Sequence, residues 1–251
     1  MNKAKQGNNE EVKFTKLLNQ KGELWNDLGY NAENHYGIHV ISNKFGEINQ
    51  SKIPPKADIF VAKGNLDNDY LQTQDYYLNE NDAVKFGLAS VDKSGISVKL
   101  AKSNYTIIKI SPSTFKKIFG SNILGVGASI YSSKDFEKNP SVLVGWGIEL
   151  KEFQSFFADL LKVKESEITL DNKKILGKIK TISNDTIKKR VLESQEISDL
   201  VFKGIGNFEE PFTAHWIIEN DEVKENYYVP FSVTTGSGRS KGIFTIVLKP
   251  K

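Results

Sequence analysis

The chain of 251 residues is 39% hydrophobic and 26% charged, long enough for a core that needs neither disulfides nor a structural metal. It has no cysteine, which excludes thiol catalysis, cysteine-based zinc sites and iron–sulfur clusters. The net charge of +3 and pI near 8.7 permit nucleic-acid binding without arguing for it, and only Arg190 and Arg239 could make planar, bidentate contacts to guanine.

No apolar run reaches the roughly 20 residues of a membrane span. The first ten residues are charged and amide-rich without a signal-peptide core, so a cytoplasmic protein with no membrane partner is expected.

The first expected element is a helix over 9–21, capped by Asn8 or Asn9, with Glu10 and Glu11 at its positive end and Val12, Phe14, Leu17 and Leu18 on its apolar side. A short strand at 39–41 follows. After Pro54-Pro55, the run Ala57-Asp58-Ile59-Phe60-Val61-Ala62 reads as a buried strand. Residues 64–81 are polar and read as an extended loop. A strand over 95–101 alternates cleanly: Ile96, Val98 and Leu100 face one way, Ser97, Lys99 and Ala101 the other. Residues 105–110 continue as a strand, and Ser111-Pro112 opens a short helix.

Residues 141–146 read as a strand and 149–163 as an amphipathic helix carrying Leu150, Phe153, Phe156, Phe157 and Leu160. Asn184 or Asp185 caps a helix reaching Phe202. The remainder, 213–219, 227–235 and 242–249, is β. The fold class is α/β, a mixed sheet flanked by helices on both sides.

Asp58 stands near the start of one hydrophobic strand and Ser97-Val98-Lys99 lies in another. Period-two geometry puts Ser97 and Lys99 on one face, so neighbouring strands would bring together a carboxylate, a hydroxyl and an ammonium. Composition alone allows the plainer reading that Lys99 faces water on an edge strand.

Pro55-Lys56-Ala57-Asp58-Ile59 followed by Ile96-Ser97-Val98-Lys99-Leu100 resembles the catalytic core of the PD-(D/E)XK nucleases, most closely the small type II restriction endonucleases that cut four-base sites. Asn9-Glu10-Glu11 is similar to that family's opening-helix acidic motif, and the β segment around 231–250 to its DNA-contacting strands. The resemblance implies a restriction-endonuclease-like sheet in a single endonuclease domain over 1–251. Its catalytic core would span about 8–165, and the helix and β segments of 184–251 would add DNA contacts. It further implies Mg²⁺-dependent, sequence-specific hydrolysis of double-stranded DNA leaving 5′-phosphates, in host defence beside a cognate DNA methyltransferase. Either a two-fold homodimer or a monomer would suit it.

In that resemblance Asp58 and the Val98 carbonyl hold the metal, Lys99 orients or deprotonates the attacking water or stabilises developing charge, and Glu10 holds a metal-bound water, with Glu11 as competitor. Ser97 departs from the pattern, standing where the family carries Asp or Glu. Either one ion binds or another carboxylate substitutes, with Glu10, Glu33 and Asp92 as candidates. The departure keeps open a second reading, a DNA-binding or modified-base-reading protein that retains the fold without efficient cleavage. A soluble α/β protein unrelated to DNA is the third.

Glu11-Val12-Lys13, Glu149-Leu150-Lys151 and Glu222-Val223-Lys224 satisfy an E-x-K pattern literally. The first two lie in expected helices, where i and i+2 do not share a face, and the third lacks a suitable upstream Asp.

Lys102-Ser103-Asn104-Tyr105, leaving the catalytic strand, reads either as DNA contacts or as an ordinary turn. Thr234, Thr235, Ser237, Arg239, Ser240 and Lys241, interleaved with glycines, read as a solvated hairpin loop or, given the nuclease resemblance, as a second DNA-contact segment. Within it Arg239 could bridge guanine O6 and N7. His35 and His39 have a zinc-like spacing but no third ligand nearby, so no zinc is expected.

Overall fold

The computed structural model describes residues 3–30, 33–41, 55–99, 105–138, 141–219, 222–226, 229–236 and 244–251, with side chains from Asn8 onward. The fold is mixed α/β, in two compact units: Met1–Tyr105 with Asp199–Tyr228, and Thr106–Ser198 with Val229–Lys251. The chain leaves the first unit, builds most of the second and then returns.

In chain order the first unit begins with α1 (Lys3–Asn19), α2 (Glu23–Leu28), β1 (His35–His39), β2 (Ile59–Lys63), α3 (Asn68–Thr73), α4 (Glu80–Lys85), β3 (Ala89–Ser90) and β4 (Ile96–Lys99). The second contains β5 (Ile108–Ile110), α5 (Pro112–Phe119), α6 (Ile123–Ser129), α7 (Val142–Trp146), α8 (Leu150–Leu161) and α9 (Lys173–Glu193). Then α10 (Gln195–Phe202) leads back to β6 (Trp216–Glu219) and β7 (Glu222–Glu225) of the first, and β8 (Phe231–Gly236) and β9 (Thr245–Pro250) complete the second.

Among the described residues the first unit holds a six-stranded sheet in the order β1-β2-β4-β6-β7, with β3 also paired to β2. Its pairings are antiparallel except β4 with β6, which run parallel. Alternation along β2 sorts the two faces. Ile59 and Val61 join Ile96 and Ile218 against Phe14 and Leu18 of α1 and Trp25 and Leu28 of α2. Ala62 joins Tyr36 and Ile38 against Leu66, Leu71 of α3, Tyr76 and Leu78, with Phe60 packed beside them. Helices thus flank both faces of this sheet.

The docking of α1 is close. A Cβ on Gly37 would lie 3.2 Å from the Leu18 Cβ. Asn19 clamps Gly37 from both sides: its Nδ2 donates to the Gly37 carbonyl at 2.8 Å, and its Oδ1 accepts from the Gly37 N–H at 3.1 Å. The buried Trp25 indole donates to the Leu18 carbonyl, joining α2 to α1.

The second unit is built on a three-stranded antiparallel sheet, β5-β9-β8. Every residue of α6 is buried. It packs so tightly on α9 that a Cβ at Gly127 would sit 2.1 Å from the Ser183 Oγ. The segment expected as a strand at 141–146 is instead helix α7, closed by Gly147 in the left-handed region at φ 63. A short apolar run carries too few residues for its period to be read. Likewise 64–81 is not simply loop: Asp67 accepts from the Asp69 N–H at 2.9 Å and starts α3. The helix expected from Asn184 or Asp185 begins earlier, capped by Asn172 accepting from the Ile175 N–H at 3.3 Å, and is interrupted at Ser194. Among the described residues no helix is long and apolar enough to cross a membrane.

Candidate active site

Strands β2 and β4 share a single register pair, Ile59 with Ile96, reinforced by the Asp58 N–H donating to the Ile96 carbonyl at 2.8 Å. Upstream of Asp58 the chain departs, and the N–H groups of Lys56 and Ala57 both donate to the Phe212 carbonyl, at 3.2 and 3.1 Å. The ladder therefore forks. Beyond the fork the Val98 N–H has no backbone partner on β2, and the Asp58 carboxylate takes that place: Oδ2 accepts from the Val98 N–H at 2.7 Å.

The same oxygen accepts from the Ser97 hydroxyl at 3.1 Å, and the Ser97 Oγ accepts from the Lys99 ammonium at 2.5 Å. Lys99, Ser97 and Asp58 form one continuous polar chain, the juxtaposition expected from strand alternation. Ser97 is almost fully buried, whereas Asp58 and Lys99 keep part of their surface exposed. Among the described residues no group donates to Asp58 Oδ1.

Asp58 retains some exposure but is closely surrounded. Burial is the leading influence on its carboxyl and raises its pKa, Lys99 opposes, Glu11 raises it further, and the Val98 and Ser97 hydrogen bonds lower it; the outcome is upward. Two like charges thus bear on one place. Lys56, two residues earlier on the chain, is pressed the other way: burial and then Lys99 bring its pKa down to about 7, against a smaller raising effect of Asp58. Its ammonium donates to the Val201 carbonyl at 3.1 Å.

The carboxylate that α1 turns toward Asp58 is Glu11. Its Oε2 lies 3.1 Å from Nε2 of His39, which is buried and next to Val40, whose N–H donates to the Asp58 carbonyl at 2.9 Å. Glu10 instead faces Lys13 at 3.5 Å on the helix surface. The sequence signal for this choice exists: Glu11 falls on the same helical stripe as the buried Phe14, Thr15 and Leu18. His39 is thus the partner of Glu11.

On the other side of Lys99, the Tyr105 ring centre is 5.5 Å from its Nζ. Burial raises the Tyr105 hydroxyl pKa, Glu219 adds to the rise and Lys224 opposes it. Glu219 faces Lys99 across the β4–β6 ladder and pairs with Lys224 at 2.9 Å. Of the expected DNA contacts in this unit, Tyr105 therefore stands beside Lys99, while Lys102, Ser103 and Asn104 lie outside the described residues.

In the second unit Thr234 donates its hydroxyl to the Val247 carbonyl at 3.1 Å and Thr235 to the Ala128 carbonyl at 3.3 Å. Ser237, Arg239, Ser240 and Lys241 lie outside the described residues. Arg190 is spent on the Phe119 carbonyl at 3.0 Å. Glu33 and Asp92, the other candidates to compensate for Ser97, are not among the charges acting on Asp58.

No group of three or more His, Asp or Glu able to hold a metal occurs among the described residues. A cleft of ≈ 230 Å³ opens elsewhere in this unit, lined mainly by apolar groups such as Ile38, Phe60, Ala62, Leu78, Leu88 and Phe212. It contains none of Asp58, Ser97 or Lys99, whereas a second hollow of ≈ 340 Å³ is lined by His39, the partner of Glu11, with Val12 and Asp75. Comparison of the chain with protein-family models, curated proteins and solved structures returned no match.

Proposed function

We propose that the chain is a Mg²⁺-dependent endonuclease of the type II restriction class, cutting double-stranded DNA at a specific sequence. The observation that carries the reading is the fork between β2 and β4, where Asp58, Ser97 and Lys99 meet in one hydrogen-bonded chain. A carboxylate and an ammonium held on adjoining strands, with a further carboxylate at hand, are the groups that phosphodiester hydrolysis uses.

The donor set fits a magnesium ion. Mg²⁺ takes one or two carboxylates and keeps several waters, and Asp58 has an oxygen that receives no hydrogen bond from any described residue. In an extended chain a residue's N–H and C=O point to the same side. Since the Val98 N–H reaches Asp58, its carbonyl is turned to that side as well. A divalent cation would also relieve the repulsion that Glu11 exerts on the Asp58 carboxylate. When bound, it would supply an acidified water and counter-charge for the phosphate.

The chain's own groups then have distinct tasks. Asp58 holds the ion, positioned by the Val98 N–H and the Ser97 hydroxyl. Lys99 is fixed by Ser97 and offers its ammonium to a water or a phosphate oxygen. Glu11, held by His39, orients water from the α1 side. Ser97 acts here as a bridge rather than as a ligand, which gives a role to the residue that departs from the family pattern.

The test is incubation of purified protein with bacteriophage DNA and Mg²⁺. Discrete fragments, absent for Asp58→Ala and Lys99→Ala, are expected. The second reading, a DNA-binding protein with no cleavage, rests on Ser97 in the acidic position; it predicts DNA that is retarded but intact. DNA neither cut nor retarded at low salt would remove both.

A further inference from the structure

The net charge of +3 conceals a division. The first unit has 15 Lys and Arg against 20 Asp and Glu, the second 19 against 11. The unit with the candidate site is therefore acidic, and the positive charge that a polyanion would meet belongs to the other.

Within the second unit the charge gathers on α9. Its buried side is Ile175, Leu176, Ile179, Ser183, Ile187 and Val191. Lys173, Lys174, Lys178 and Thr181 lie exposed opposite, with Lys180 at the edge. No Asp or Glu occurs between Asn172 and Asn184, and no described acidic group lies within ion-pair distance of Lys174, Lys178 or Lys180. Farther along the same helix, by contrast, Lys189 has Glu193 at 3.8 Å. The unpaired lysines occupy the half of α9 where the helix dipole is already positive, and its first turn has no acidic residue. That arrangement costs helix stability rather than adding to it.

An aromatic ring accompanies them. Tyr131 is 48% exposed, donates its hydroxyl to the Lys173 carbonyl at 3.1 Å, and carries the Lys180 ammonium 5.2 Å from its ring centre. The tyrosine thus holds one lysine at the rim of the basic face while offering its own ring to a partner.

We infer that this face of α9, with Tyr131, binds the phosphate backbone of duplex DNA. Lysines are point charges suited to phosphates, without the planar fork that reads guanine, so the contact gives affinity without sequence choice. A rigid helical row of charges matches a rigid polyanion, which presents one charge per about 1.7 Å of its axis. The identity of the polymer rests on the nuclease reading; the basic face itself does not.

The experiment measures fluorescence anisotropy of a labelled 30-base-pair duplex with the full chain, in EDTA, from about 50 to 200 mM salt. Three proteins are compared: wild type; Lys174→Gln, Lys178→Gln, Lys180→Gln; and a control of equal net charge, Lys63→Gln, Lys85→Gln, Lys93→Gln, in the first unit. Glutamine keeps helix propensity, and circular dichroism checks the fold. The α9 variant is expected to bind at least tenfold more weakly at about 100 mM salt, with the log–log salt slope reduced by about 3, while the control stays within about twofold. Equal losses in both variants, or none in either, would overturn the assignment. So would tighter wild-type binding to single-stranded RNA of the same length.

Cleavage of bacteriophage DNA with Mg²⁺ is scored on the same proteins. Duplex binding lost by the α9 variant, with no cutting by wild type, would defeat the nuclease reading and leave the face standing. Cutting by wild type with undiminished duplex binding by the α9 variant would do the reverse.

Discussion

Two carboxylates in the first unit sit beside the same central strand and are treated in opposite ways. Glu210 lies next to the residues that lead into β4. Burial alone would raise its pKa, but Thr213 and His215, each at 2.7 Å, and the Lys93 N–H at 3.0 Å outweigh it, and its pKa falls. Asp58 lies next to the residues that end β4, and there burial and Glu11 win over Lys99 and two hydrogen bonds, so its pKa rises. The neighbourhood of Glu210 stabilises the charge it carries. That of Asp58 disfavours the charge of a lone carboxylate. A carboxylate perturbed against its own charge is a candidate for function, and one perturbed toward it is held as a brace.

The largest expected effect sharpens this contrast at Asp58. Asp58→Asn keeps an acceptor for the Val98 N–H and removes the charge, so DNA cleavage should fall by about 10³-fold or more while the urea midpoint holds or rises. An unfolding curve shifted well downward would mean that Asp58 is a brace after all. Lys99→Met should lower the cleavage rate by about 10²–10³-fold, read in single-turnover assays with saturating Mg²⁺.

At Glu210 the expectation inverts. Glu210→Gln should cost about 1–3 kcal/mol in urea unfolding, through weaker charge-assisted hydrogen bonds, and leave cleavage within about twofold. The pH dependence has opposite signs at the two residues. The folded pKa of Glu210 is lowered, so its contribution is present above the unfolded value of 4.5 and lost as pH falls through the folded pKa. The folded pKa of Asp58 is raised, so stability is full below 3.8 and declines as pH climbs through the folded pKa. Each variant should abolish its own trend in a stability–pH profile and leave the other intact.

The smallest effect separates neighbours on α1. Glu11→Gln should slow cleavage about tenfold, and Glu10→Gln should change it less than twofold, because only Glu11 acts on Asp58.

The centre of the site was legible because strand alternation is a strict period. Once 57–62 and 95–101 are read as strands, Ser97 and Lys99 must share a face, and a hydrophobic run containing one aspartate marks where they meet. Preferring Glu11 to Glu10 required reading the α1 stripe through Thr15, a polar residue that a search for apolar positions passes over although it is fully buried. The depression of Lys56 comes first from burial and then from Lys99, both set by residues remote in sequence, and no local pattern carries it.

The division into two units was not legible either. The strand that pairs in parallel with β4 is β6, and all of α5 through α9 intervenes, so the two parts of the first unit share no local signal. Local reading failed also at α7, where Val142 and Val144 are β-branched but the helix buries Val142, Leu143 and Trp146 in the second unit and leaves Val144 exposed.

The claim that Asp58 is a site and Glu210 a brace is tested most directly by one side-by-side assay: Mg²⁺-dependent cleavage of a single plasmid by wild type, Asp58→Asn and Glu210→Gln at equal folded concentration. Discrete fragments from wild type and Glu210→Gln, with intact plasmid for Asp58→Asn, are predicted. Fragments from Asp58→Asn, or an uncut plasmid with all three proteins, would contradict it.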